Sequence, residues 1–151
     1  DAGGNINRFL GQYLERYEDT TNLGYISLLT CNHDTIRPSF SLDSTELKLA
    51  YAFLFTMPGV PFLYYGDEIG TEGFCDPFNR GFFDWSRANS SLKEYFKYMA
   101  KLKNTSTQLQ TGSVNAYEKD NVLFVERIDK NGKITAAVNC GNTEYFIENK
   151  K

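Results

Sequence analysis

The one histidine of the chain lies beside an aspartate, directly after an apolar segment. His33 and Asp34 follow residues 25–30, whose composition predicts a buried strand. An imidazole and a carboxylate together can transfer protons or hydrogen-bond a polar ligand. The pair is therefore a candidate site at one edge of a sheet. The structural alternative is a satisfied loop histidine beside an aspartate that caps a turn.

A second apolar segment has the same layout, because residues 60–65 predict a strand that is followed by Asp67 and Glu68. These carboxylates either accept backbone N–H groups and anchor the loop, which we favour, or contact a ligand directly. A metal site made of His33, Asp34, Asp67 and Glu68 is disfavoured, because these four residues include no pair at helical i, i+4 spacing. Neither a metal nor a cofactor is predicted. A serine hydrolase is disfavoured because the sequence lacks a Gly-x-Ser-x-Gly segment.

Helices must hold these two strands in place. Apolar residues spaced for one helical face predict an amphipathic helix over residues 6–17. Asp43 with Glu46 predicts a capping box for a buried helix that ends at Pro58, and Ser91 with Glu94 predicts a second box for a helix that ends near residue 104. The order strand, helix, strand predicts two parallel neighbours that are covered on both faces.

The hydrophobic period changes from 3.6 to 2 after a segment rich in Thr, Ser and Gln at residues 105–112. Strands are predicted over residues 121–128 and 133–139, joined by a hairpin at Asn131-Gly132, with a third strand over residues 143–147. The sequence thus predicts an α/β segment followed by an antiparallel β segment.

Composition excludes several classes of partner. The net charge of -3 comes without a basic stripe, so no nucleic-acid partner is predicted. No apolar run approaches the roughly 20 residues that span a bilayer, so no membrane partner is predicted. Cys31, Cys75 and Cys140 form no C-x-x-C pair, and free thiols are expected. The localisation stays unknown, with the cytoplasm favoured by free cysteines. The aromatic content of 15% suits either sugar stacking or a large aromatic core.

Three motifs near the ends of the two strands resemble those of the α-amylase superfamily of glycoside hydrolases. The resemblance is to the cyclomaltodextrinase, neopullulanase and maltogenic-amylase group. Its His-Asp-Thr-x-Arg stretch is matched by residues 33–37, its Gly-Asp-Glu-x-Gly by residues 66–70 and its Asp-Pro-x-x-Arg by residues 76–80.

The resemblance implies an α/β fold that is the C-terminal portion of a (β/α)8 TIM barrel. The last two barrel strands and last three helices would occupy residues 1–104, and the start of an antiparallel β-sandwich domain would occupy residues 105–151. A chain of 151 residues is too short for a whole barrel, which takes about 250. We therefore expect a fragment of a longer enzyme.

The resemblance also implies residue roles. Asp34 would stabilise the transition state by hydrogen-bonding the 2- and 3-hydroxyls of the sugar ring, and His33 would contact the same ring. Asn32, Arg37, Asp76 and Arg80 would bind substrate. For Arg37 a pair with a buried acid is equally open, as is a plain Asp76–Arg80 salt bridge that stiffens the loop. The nucleophile and the general acid of the family have no counterpart in the chain.

The predicted function is that of the C-terminal part of a retaining α-glucan hydrolase, cleaving α-1,4 bonds, with α-1,6 bonds open, in maltooligosaccharides, cyclodextrins or starch. The alternative is a non-catalytic carbohydrate-binding relative, in which the nucleophile is lost. The isolated chain is predicted to be inactive. It is also predicted to self-associate, because two strands cannot close a barrel and leave unpaired edges beside apolar surface.

Overall fold

The computed structural model describes residues 5–87 and 90–147. These residues form four α-helices, two parallel strands and a three-stranded antiparallel sheet, with short 3-10 turns in the loops. The helices are α1 (Ile6–Thr20), α2 (Ser44–Thr56), α3 (Ser91–Thr105) and α4 (Thr107–Thr111), and the strands are β1 (Ser27–Leu29), β2 (Val60–Phe62), β3 (Ser113–Lys119), β4 (Val122–Asp129) and β5 (Gly132–Asn139). Within the described ranges no helix is long and apolar enough to cross a membrane.

The α/β segment has the predicted order of elements. The capping box at Asp43 and Glu46 starts α2, since the Asp43 carboxylate accepts from the backbone N–H of Glu46 and the Glu46 carboxylate accepts from that of Asp43. Strands β1 and β2 pair in parallel, as predicted, with Leu29 opposite Phe62. The paired stretch is only three residues long on each strand, shorter than predicted.

The prediction that both faces of the strand pair are covered is wrong for the chain by itself. Leu28 packs on the helices, whereas Leu29, Val60 and Phe62 lie on the opposite face and are 41%, 49% and 45% exposed. Side chains alternate between the two faces of a strand, so an apolar sequence on both faces needs a second layer. Nothing in the described residues covers this second face of the pair.

The cap of α3 lies one residue earlier than predicted. Ser90 is the N-cap and accepts from the backbone N–H of Lys93 at 3.2 Å. Glu94 is therefore one position too far along for a capping box with Ser90, and its carboxylate pairs with Lys97 at 2.7 Å instead. The helix ends at Thr105, close to the predicted end.

The antiparallel sheet has the order β3-β4-β5. The hairpin at Asn131-Gly132 joins β4 to β5 as predicted. The turn between β3 and β4 is Asp120-Asn121, and both residues have positive φ, as the mirror-image hairpin turns require. The predicted strand at residues 143–147 is wrong, because Thr143 folds back to accept from Asn139 and the Tyr145 ring packs on Phe124. The third strand is β3.

Two clusters of buried side chains form the core. One lies between α2 and α3 and is centred on Tyr51 and Phe96, whose ring centroids are 4.3 Å apart. The other joins α1 and the end of α2 to the antiparallel sheet and includes Leu10, Met57 and Val125. The second cluster lies across the predicted domain boundary near residue 104, which stays a prediction.

Candidate functional site

A tight turn after β1 presents the histidine and aspartate to solvent. The Asn32 side-chain oxygen accepts from the backbone N–H of Asp34 at 2.9 Å, and the Thr35 hydroxyl accepts from the backbone N–H of Asn32 at 2.9 Å. These bonds occupy the short side chains within the turn, as Asx turns do. His33 and Asp34 are left exposed by 59% and 66%, and His33 Nε2 lies 3.2 Å from Asp34 Oδ2.

Asp76 and Arg80 come to the same place from the loop after β2. Arg80 Nε lies 2.7 Å from Asp76 Oδ1, and Arg80 Nη2 lies 3.6 Å from Asp34 Oδ1. Arg80 Nε also donates to the backbone oxygen of His33 at 3.3 Å. One guanidinium therefore faces two carboxylates from two different loops. The salt bridge to Asp76 is present, and Arg80 remains 45% exposed, with surface left for a ligand.

The side chain of Asn79 connects the two loops from beneath. It is fully buried, and its amide donates to the backbone oxygens of His33 at 2.8 Å and Thr35 at 2.9 Å. The sequence did not single out Asn79, because it stands at a variable position of the Asp-Pro-x-x-Arg stretch. It lies between Asp76 and Arg80 on a short 3-10 turn over Phe78–Arg80, and no sequence pattern marked its role.

Arg37 is also fully buried and lies below the turn. Its Nε donates to the backbone oxygen of Asn79 at 2.9 Å, and its Nη1 donates to that of Tyr65 at 2.6 Å and lies 3.3 Å from Asp67 Oδ1. The guanidinium carbon stands 4.1 Å from the centre of the Tyr64 ring. Of the two roles that the sequence left open, the structure shows the pair with a buried acid. Substrate binding by Arg37 stays a prediction, although its side chain has no accessible surface in the described chain.

Asp67 anchors the loop after β2 in the way that we favoured. Its carboxylate accepts from the backbone N–H of Tyr64 at 3.0 Å and from the Cys31 thiol at 3.2 Å. Burial raises the pKa of Asp67, while the Cys31 thiol, the Tyr64 N–H and Arg37 act in the opposite direction. Burial and the adjacent carboxylate raise the pKa of Cys31 to about 12, so this thiol stays protonated as a donor. The left-handed Gly66 and Gly70 flank the short turn that carries Asp67.

The loop around Asp76 and Arg80 exposes large aromatic rings. Phe78, Phe82 and Trp85 are 71%, 100% and 79% exposed. The described residues hold no group of three His, Cys, Asp or Glu side chains close enough to bind a metal. The exposed surface thus combines a carboxylate acceptor, guanidinium donors and apolar ring faces. Such a surface can hydrogen-bond hydroxyl groups and stack on a sugar ring.

The family model described as "Alpha amylase, catalytic domain" matches residues 7–133 of the chain. A cyclomaltodextrinase of Thermoanaerobacter pseudethanolicus is 29% identical over 147 residues, which cover 94% of this chain and 25% of that protein. Neopullulanase 2 of Thermoactinomyces vulgaris is 35% identical over 108 residues, covering 69% of this chain and 18% of that protein.

A solved α-amylase structure from Anoxybacillus has the same arrangement of elements. It superposes with a TM-score of 0.78 at 29% sequence identity, covering 87% of this chain and 30% of that one. The chain therefore spans less than a third of each of these three proteins.

Proposed function

The chain belongs to the α-amylase catalytic-domain family, and on this premise we propose that it supplies the transition-state-stabilising part of a site that hydrolyses α-glucans. The resemblance drawn from the motifs after β1 and β2 is thereby confirmed. In the proposal the chain is part of a (β/α)8 barrel, in which β1 and β2 are the last two strands and the β3–β5 sheet begins the following domain.

The observation that carries the proposal is the convergence of Asp34, Asp76 and Arg80 beyond the carboxyl ends of β1 and β2. This is the end of a parallel barrel where catalytic groups lie. Arg80 lies 3.6 Å from Asp34 and 2.7 Å from Asp76.

Asp34 accepts hydrogen bonds from two adjacent ring hydroxyls in the proposed reaction. The ring flattens toward an oxocarbenium ion as the glycosidic bond breaks, and these bonds lower the barrier only by the amount that they strengthen in that change. His33, 3.2 Å from the Asp34 carboxylate, contacts the same ring. Arg80 and Asp76 bind the neighbouring sugar. Asn32 holds the turn through its side-chain oxygen and is kept among the substrate-binding residues. Retention of configuration requires a nucleophile and an acid, which in this proposal come from residues outside the chain.

Two measurements test the proposal. The purified chain should release no reducing sugar from maltotriose, yet maltotriose should shift the NMR signals of His33, the only histidine. The Asp34→Asn variant should lose most of that shift. An unchanged histidine spectrum at saturating maltotriose would contradict sugar binding at this site. Reducing sugar released by the chain and abolished in Asp34→Asn would contradict the assignment of the nucleophile and acid elsewhere.

An enzyme that carries this chain tests the catalytic role of Asp34. Asp34→Asn should lower kcat roughly 100-fold and change KM far less, because several kcal/mol of its interaction arise only in the transition state. A variant with a normal kcat and a raised KM would mean that Asp34 binds the ground state and the transition state equally. An enzyme with no nucleophile or acid in the remaining sequence would favour the carbohydrate-binding alternative.

Self-association is a separate part of the proposal. Leu29, Val60 and Phe62 form an exposed apolar face on a pair of short strands, and such faces promote association. Light scattering on the isolated chain decides this point, since a monodisperse monomer at tens of micromolar would contradict it.

A further inference from the structure

Buried hydrogen bonds lie next to the exposed contact between Asp34 and Arg80. Asp34 and Arg80 come from different loops and are both largely exposed, at 66% and 45%. Exposed ion pairs are weak and do not fix a geometry by themselves. The bonds between the two loops that are shielded from water include those of Asn79, which is fully buried and lies next to the turn that carries Asp34.

Asn79 makes three bonds, of which the two from its side chain require an uncharged group with two N–H donors. Its amide donates to the backbone oxygens of His33 and Thr35, at 2.8 and 2.9 Å, on either side of Asp34. Its own backbone oxygen accepts from Arg37 Nε at 2.9 Å. An aspartate would set a carboxylate against two carbonyl oxygens. A leucine would remove the Asn79 donor from both carbonyls and leave that of His33 with only the longer bond from Arg80.

The backbone around Asn79 is closely packed against the neighbouring segment of the chain. A Cβ placed on Gly73 would lie 2.7 Å from the Asn79 Cα and 2.9 Å from the backbone oxygen of Phe78. The Gly73 backbone oxygen in turn accepts from the backbone N–H of Arg37 at 2.9 Å. The two loops are therefore packed backbone to backbone where the Asn79 amide meets the turn that carries Asp34.

We propose that Asn79 is a positioning residue that fixes the Asp34 carboxylate relative to the Arg80 guanidinium. Its side chain has no accessible surface, and it acts through the two carbonyls that flank Asp34. The effect on sugar binding rests on the proposed function, whereas the effect on the turn does not. Misplacing a reacting group by about 1 Å can lower the rate about 100-fold. The position of the turn that carries Asp34 therefore matters for the proposed reaction.

The test compares Asn79→Leu with the unmodified 151-residue chain by NMR and by titration with maltotriose. We expect the backbone amide signals of residues 33–35 and the His33 ring signals to shift or broaden, and the affinity for maltotriose to fall about tenfold. Asn79→Ser keeps one hydroxyl donor and should give smaller changes in both measurements. If Asn79→Leu does not fold, the same two measurements on Asn79→Ser test the proposal.

Two control variants separate positioning from a loss of stability. Leu109→Ala opens a cavity at a fully buried position outside the site. Gln110→Met removes an amide that, like that of Asn79, donates to two backbone oxygens, those of Lys103 and Asn104. Both controls should leave the His33 signals and the maltotriose affinity unchanged.

The outcomes are distinguishable. Unchanged signals for residues 33–35 in folded Asn79→Leu or Asn79→Ser would overturn the positioning role, as would displaced signals with full maltotriose affinity. Failure of the unmodified chain to bind maltotriose would contradict the proposed function instead. In that case the amide signals of the Asn79 variants alone would decide whether this residue positions Asp34.

Discussion

The two fully buried arginines of the chain are held in different ways. Arg37, below the candidate site, has a carboxylate partner in Asp67 as well as two backbone oxygens. Arg127, on β4, donates to the backbone oxygens of Thr56 at 3.0 Å and Gly112 at 2.9 Å. Arg127 also lies near Tyr13 and Tyr17 and near a second cation, Lys103.

Each region connects segments that are distant in the sequence, but they serve different purposes. The Arg37 region joins the two loops that carry exposed His33, Asp34 and Arg80. The Arg127 region closes the end of α2, where Tyr13, Lys103 and Arg127 donate to the consecutive backbone oxygens of Pro58, Met57 and Thr56. Cations at a helix C-terminus are favoured by its dipole. In this chain, therefore, a buried charge marks the candidate site only where exposed ionisable side chains lie next to it.

The largest expected effect is the loss of Arg37. Arg37→Met should lower the free energy of unfolding by about 3–5 kcal/mol, because it leaves the Asp67 carboxylate buried without its cation. Urea unfolding monitored by tryptophan fluorescence measures this. The double variant Arg37→Met, Asp67→Asn should recover part of the loss, since the uncompensated charge is gone. A loss below about 1 kcal/mol in the single variant would contradict the ion pair.

Removal of Arg127 should cost less. Arg127→Met leaves the carbonyls of Thr56 and Gly112 without a donor but leaves no buried anion, and it also relieves repulsion with Lys103. We expect a loss of about 2–3 kcal/mol in the same unfolding measurement. If Arg127→Met lowered the free energy of unfolding as much as Arg37→Met or more, the difference that we infer between the two regions would be contradicted.

Glycines in the two regions give a matched pair of probes. A Cβ on Gly73 would meet the Asn79 backbone at 2.7 Å, and one on Gly112 would meet the backbone oxygen of Gln108 at 2.5 Å. Gly73→Ala and Gly112→Ala should each destabilise the chain by about 1–3 kcal/mol. Only Gly73→Ala should also displace the NMR signals of His33. Gly81→Ala is the control, because a Cβ there meets nothing within 4 Å.

The smallest effect is a dependence of stability on pH from the Arg127 region. Burial, and then Arg127, lower the pKa of Lys103 to about 8 from its ordinary 10.5. The folded chain therefore releases this proton at a lower pH than the unfolded chain does, and its stability rises between about pH 8 and 10.5. The expected gain is about 1 kcal/mol between pH 8 and pH 9.

Denaturant unfolding at these two pH values, on the chain and on Lys103→Met, measures that gain. The rise should be absent from Lys103→Met. Above pH 10 Tyr13 acts in the opposite direction, because burial raises its pKa to about 12 and its deprotonation then favours the unfolded chain. A gain of the same size in Lys103→Met would assign the effect to other groups.

Local patterns with strong signals were predictable from the sequence. The Asp43 and Glu46 capping box and the Asn131-Gly132 hairpin each specify their geometry through a few neighbouring residues. Strand β3 was missed because its inward residues, such as Val114 and Ala116, are small or only partly buried. The predicted strand at residues 143–147 failed although β5 is an edge strand, because the Thr143 carbonyl accepts from the Asn139 side chain and the Tyr145 ring packs on Phe124.

The exposed part of the candidate site was predicted by its motifs, and the buried part was not. His33, Asp34, Asp76 and Arg80 belong to stretches with recognisable spacing, and the structure brings them together. Asn79 carries no such signal, since one asparagine in a loop is ordinary. Its importance comes from carbonyls more than 40 residues away, and only the fold places them within reach. Likewise, the sequence did not show that Arg37 is buried, and it therefore could not tell whether Arg37 pairs with a buried acid.

The three donors at the end of α2 bear on the order in which the chain is completed during synthesis. Tyr13 precedes the helix, but Arg127 lies 71 residues beyond the carbonyl that it reaches. While the ribosome is still adding β3, the last turn of α2 has no guanidinium to close it. The helix can nucleate early from its capping box, but the Thr56 carbonyl in its last turn gains the Arg127 donor only when β4 has left the exit tunnel.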